Sequence, residues 1–83
     1  MKTELLELPS GAVKASMVHS TGVTEARAFH CGLIEGRHGL YWQAWSTFYG
    51  RIDGMGGTTC IDYDDARRYL ARLVRRYRRE VKV

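Results

Sequence analysis

Proline is almost missing from this chain, one in 83 residues, and cysteine occurs only twice, as Cys31 and Cys60. The first shortage leaves the backbone free to form regular structure nearly everywhere, with Pro9-Ser10-Gly11 as the one proline turn. The second excludes a disulfide-stapled scaffold and fits a reduced, cytoplasmic setting, although Cys31 and Cys60 could pair if they fell on adjacent strands. Long apolar runs are missing too. None approaches the roughly 20 residues that a membrane span needs, so no membrane partner is expected. Acidic residues inside the opening MKTELLEL, with no small-residue cleavage site, exclude a secretory signal.

Ligand spacings are also lacking. His19, His30, His38, Cys31 and Cys60 form no CxxC or HxxxH pattern, so no metal and no cofactor is expected. The two cysteines read as small, buried strand residues. His30 and Cys31 are neighbours, and neighbours on a strand point to opposite faces, so that imidazole does not activate that thiol. No catalytic residue is found, and an enzyme is not expected. The glycine-rich residues 50–57 lack the lysine and the helix that a phosphate-binding loop requires, and read as a mobile hairpin loop.

What is present is a folded composition, 45% hydrophobic, with a lopsided charge. One domain covering residues 1–83 is expected. Residues 1–65 hold five Lys/Arg against eight Asp/Glu, a net of −3, while residues 66–83 hold eight against one, a net of +7. The body is mildly acidic and the last segment carries the basic excess. Such asymmetry suits a polyanion or an acidic protein surface.

That last segment, residues 62–83, is a strongly amphipathic helix in prospect, expected over about 62–81. Ala66, Tyr69, Leu70, Leu73, Val74, Tyr77 and Val81 recur at i, i+3, i+4, i+7 and share one face. Arg67, Arg68, Arg72, Arg75, Arg76, Arg78, Arg79 and Lys82 share the other. Asp62 or Asp64 suits the cap, and acids in the first turn complement the helix dipole.

Before it, residues 3–8 read as a strand or a helical turn, and 12–19 alternate like a half-buried strand. Residues 20–25 read as a loop, with Thr24 alternatively capping a short helix through 28. Residues 28–35 form a strand, Gly36-Arg37-His38-Gly39 a hairpin loop, and 40–49 the strongest strand, rich in aromatics. Residues 58–61 make a short last strand. The gaps are too short for parallel crossovers. The expected fold is α+β: an antiparallel meander of four or five strands with the helix packed on one face.

Two surfaces are candidates for function. The first is the ridge Arg68, Arg72, Arg75, Arg76 and Arg79. Like charges at i, i+4 oppose helix formation by about 0.2–0.5 kcal/mol per pair, so an all-cationic face is short of counter-charge. Arginine outnumbers lysine ten to three, and its planar fork suits phosphate and carboxylate. The second is Tyr41, Trp45 and Tyr49, one parity of the aromatic strand. If open, it is a stacking platform or a protein interface; a loop, the N-terminal segment or a second copy could instead cover it. The opposite parity, Leu40, Trp42, Ala44, Ser46 and Phe48, is the expected core face.

The leading expectation is a small, non-enzymatic module that binds nucleic acid through phosphates. The rival is a protein that binds an acidic or nucleic-acid-binding surface of another protein stoichiometrically. Phage and mobile-element inhibitors, anti-CRISPR proteins among them, are similar in size and style, without any shared motif. A homodimer through Tyr41, Trp45 and Tyr49 is compatible with either.

Overall fold

The computed structural model describes residues 7–9 and 11–81, apart from the side chains of 53–57 and 81. Four strands and one helix follow in order: β1 Ala12–Gly22, β2 Arg27–Gly36, β3 Gly39–Phe48, β4 Arg51–Cys60 and α1 Tyr63–Val81. The strands form one sheet in sequence order, each pairing antiparallel with the next. This is the α+β meander with a terminal helix that the strand spacing implied. The expected element at 3–8 lies mostly outside the described residues.

The helix covers the sheet face that carries Phe29 and Cys31 of β2, Ala44 of β3 and Cys60 of β4, and meets it with Ala66, Leu70, Leu73 and Val74. Ala44 and Ala66 are fully buried. Both belong to the same buried cluster and add little bulk to the layer between helix and strands. Each large apolar side chain buried here contributes about 1.5–3 kcal/mol. Trp42, Tyr69 and Tyr77 pack around this core. Tyr77 meets Phe29 edge-on at 5.7 Å between ring centroids, and Trp42 meets Tyr63 likewise at 5.5 Å.

The opposite face also holds buried residues, although α1 does not cover it: Ile34 is 0% exposed, Trp45 2% and His30 4%. The chain path explains how. Glu7 donates its backbone N–H to the Gly50 carbonyl at 2.9 Å, beside the β3–β4 turn. Its Oε1 accepts from the Ile52 backbone N–H at 2.6 Å. Five residues on, Ala12 pairs with Gly36, at the other end of β3. Five residues reach about 18 Å at most, whereas a flat ten-residue strand spans about 33 Å. The sheet therefore coils, and residues 7–9, with Pro9 buried, tie the two ends of its concave side.

Bulges produce that coiling. β1 shifts register between Ala12 and Lys14 and again between Ser16 and His19. Met17, inside the second shift, has φ 52°. There β1 folds so close over β2 that a Cβ on Gly32 would meet the Val18 side chain at 3.0 Å and the Ser16 carbonyl oxygen at 3.1 Å. A side chain there would require the β1 backbone to give by a few tenths of an ångström.

One local expectation needs correcting, and two open alternatives are decided. Residues 50–57 are not a loop: β4 starts at Arg51, and the β3–β4 connection is the two-residue turn Tyr49-Gly50. Ile52 pairs with Thr47 and Gly57 with Trp45, so the intervening glycine-containing stretch bulges opposite Ser46. Thr24 does not start a helix. Its Oγ1 accepts from the backbone N–H groups of Ala26 and Arg27 at 3.1 and 2.8 Å, closing the β1–β2 turn. Cys31 and Cys60 are not on adjacent strands either. They sit on β2 and β4 with β3 between, and alternate strands lie about 9.5 Å apart, too far for a disulfide. Both thiols are free and buried.

Candidate nucleic-acid interface

The helix that carries the arginines is held at its start by a side-chain cap. Asp62 Oδ1 accepts from the Asp65 backbone N–H at 2.8 Å, and Asp65 Oδ2 accepts from the Ile61 backbone N–H at 3.0 Å. Two otherwise unsatisfied backbone donors are thereby paired, and both carboxylates stand at the positive end of the helix. From there the apolar stripe fixes the rotation of the rod. With Leu70, Leu73 and Val74 turned to the sheet, Arg67, Arg68, Arg72, Arg75, Arg76, Arg78 and Arg79 are all exposed.

Among the described residues, internal counter-charge for this row is sparse. Arg68 lies 3.9 Å from Asp65, and Arg76 lies 3.5 Å from Glu80, both at the surface where such pairs contribute about 0–1 kcal/mol. Arg72 stacks on Tyr69 with 5.8 Å to the ring centroid. Arg75, Arg78 and Arg79 have no ion pair or hydrogen bond among the described residues. The five candidate residues Arg68, Arg72, Arg75, Arg76 and Arg79 thus form one continuous outward surface. Lys82 lies outside the described residues.

Arg67 differs from the others. Its Nη1 donates to the Tyr63 hydroxyl at 2.8 Å, and that hydroxyl lies 2.9 Å from His19 Nε2 on β1. The guanidinium also lies over the Tyr63 ring, 5.7 Å from its centroid. This cluster fastens the first turns of α1 to the edge strand. Farther along, an open cleft of about 360 Å³ lies on the α1 flank beside β1, lined by Arg67, Ala71, Val74, Arg75 and Arg78 of the helix and by Thr21 of β1, among others. A larger open hollow of about 760 Å³ lies at the β2–β3 turn, where Arg37 is its one arginine. The smaller cleft is where cations converge.

The aromatic stripe divides. Trp45 is buried on the concave side, its ring 5.4 Å from that of His30. Tyr41 is half-buried. Tyr49 is 72% exposed and stands in the turn, against Phe48. The three therefore do not make one open platform, because coiling of the sheet takes its middle member inside. The expected core parity is correct for Ala44 and Ser46, but Leu40 and Phe48 lie largely exposed at the strand ends.

Sequence reasoning missed a polar string across the concave side. Ser20 Oγ lies 2.7 Å from His30 Nδ1, and His30 Nε2 lies 2.8 Å from Thr47 Oγ1. A neutral imidazole satisfies both hydroxyls, donating through one nitrogen and accepting through the other. Burial lowers the His30 pKa below its ordinary value. It also raises the pKa of both cysteine thiols, with the Arg67 charge opposing the rise at Cys31 and the Asp65 charge adding to it at Cys60. Reactive thiolates are disfavoured accordingly. No signal in the sequence marks this string, since it depends on strand register. Among the described residues no group of three His, Cys, Asp or Glu could hold a metal ion, and no helix is long and apolar enough to cross a membrane.

Fold and surface together define a small α+β protein whose most distinctive feature is a one-sided arginine helix. Comparison with family models, curated proteins and solved structures gives no match.

Proposed function

We propose that this protein binds nucleic acid without catalysing a reaction, using the guanidinium groups of Arg68, Arg72, Arg75, Arg76 and Arg79 on phosphates. The observation that supports this is the row of exposed arginines on a rod whose other face is committed to the core. Successive members at i, i+4 rise about 6 Å along the helix, so the row presents repeated charge over about 16 Å. A repeating anion is its natural complement. Arginine's fork pairs with phosphate oxygens two at a time. With about four such contacts, affinity falls on the order of a hundredfold between low and moderate salt.

The rival reading is an inhibitor of phage or mobile-element type that docks on an acidic or nucleic-acid-binding protein surface. A pull-down from lysate before and after nuclease treatment separates the two. Nucleic-acid binding requires that the captured material disappear with nuclease. Stoichiometric protein partners that persist after nuclease would replace it with the rival.

A further inference from the structure

We propose that the cleft between α1 and β1 is the seat of a single nucleic-acid strand, held by Arg67, Arg75 and Arg78 and lying on Ala71 and Val74. This rests on the nucleic-acid reading above and deepens it, moving the contact from the crest of the helix to one flank. Three features of the cleft carry the inference.

The first is convergence. Residues 67, 71, 75 and 78 follow at i, i+4, i+8 and i+11, a single row on the helix flank that faces β1. Three of the four are arginines, and all four line the same hollow. The second is the break in the row. Ala71 is exposed between two arginines, so an apolar methyl interrupts the charge, and the edge of the largely buried Val74 borders it. Cations beside a small apolar floor match a phosphodiester with its attached sugar and base, and a bare acidic peptide leaves such a floor unused. The third is preorganisation. Arg67 is already held by the Tyr63 hydroxyl, so little side-chain freedom is lost when it meets an anion.

Size points to the single strand. A hollow of about 360 Å³ accepts a splayed sugar or base, whereas a duplex, with its bases stacked inside, meets the crest where Arg68 and Arg79 lie. Thr21 is the one lining residue that β1 contributes.

Ala71→Glu tests this directly. It adds one carboxylate inside the cleft, and at i−4 and i+4 from Arg75 and Arg67 that carboxylate supports the helix. Arg68→Glu alters charge outside the cleft and serves as the comparison, with Arg78→Gln as a second cleft variant. Binding to a labelled oligothymidylate, to a duplex and to poly-glutamate is followed by fluorescence anisotropy, with thermal unfolding as the check on folding. The expected result is preference for the single strand, lost about tenfold or more in Ala71→Glu and reduced in Arg78→Gln, and weakened less by Arg68→Glu. Equal losses in Ala71→Glu and Arg68→Glu overturn the cleft but leave the basic face as a nucleic-acid surface. So does a duplex bound as tightly as the single strand. Poly-glutamate bound as tightly as the oligonucleotide, or no binding to any nucleic acid, overturns both.

Discussion

Thr47 Oγ1 on β3 lies 2.8 Å from His30 Nε2 on β2, deep on the side of the sheet away from the helix. Burial lowers the His30 pKa below 6.5. The unfolded chain titrates at the ordinary value. As pH falls through it, the unfolded chain gains a proton that the folded form resists, and the fold loses stability. The full contribution of neutral His30 is present above that value and declines below it. Thermal midpoints measured from neutral to mildly acidic pH should fall on acidification, and His30→Gln should flatten the change. Thr47→Val leaves the imidazole one partner short and should cost about 1–3 kcal/mol in chemical denaturation at neutral pH.

The β3–β4 turn holds a residue in an unfavourable conformation. Tyr49 and Gly50 have φ 53° and 81°, the pairing that a tight hairpin of two residues demands. Glycine adopts it freely; tyrosine does so at a cost of about 1–2 kcal/mol. Tyr49→Asn should therefore raise the denaturation midpoint, by about 1 kcal/mol in unfolding free energy. An unchanged or lower midpoint would mean that the contact between the Phe48 and Tyr49 rings outweighs the backbone strain.

Removing the cap at the head of α1 should loosen the rod without touching its arginines. Asp62→Ala deletes the acceptor for the Asp65 backbone N–H and should cost about 1 kcal/mol. Hydrogen exchange is the informative measurement, with faster exchange expected in the first turn of α1 and little change in β2 or β3.

The two thiols should behave as buried, separate groups. Mild oxidant should leave Cys31 and Cys60 unlinked by mass, because β3 lies between their strands. Alkylation should be slow in the native protein and fast in denaturant. An oxidised species lighter by two hydrogens, formed without unfolding, would contradict the strand order.

Much of this fold is legible in the sequence because two periodicities are clean. The stripe from Ala66 to Tyr77 names the buried side of the helix, and the alternation in residues 40–49 puts Ala44 beneath it. What escapes is set by register and curvature. Gly54, Gly56 and Gly57 have low strand propensity, yet pairing with β3 keeps β4 continuous around its bulge. Nothing local shows that residues 7–9 tie the sheet into a coil, so the fate of Trp45 is hidden until the path is known. The candidate surface was legible in part. The crest of arginines follows from the helical wheel alone, whereas the cleft needs β1 placed beside α1. Even so, the row 67, 71, 75, 78 could have been picked out as one flank.

The most direct test of a phosphate-binding helix face is charge reversal at its middle. Arg72→Glu combined with Arg75→Glu should leave the fold intact, since both side chains are exposed. Nucleic-acid affinity at low salt should drop by about a hundredfold, with a shallower dependence on salt. If the doubly reversed protein binds nucleic acid as tightly as the parent at low salt, the arginine face is not where this protein meets its partner.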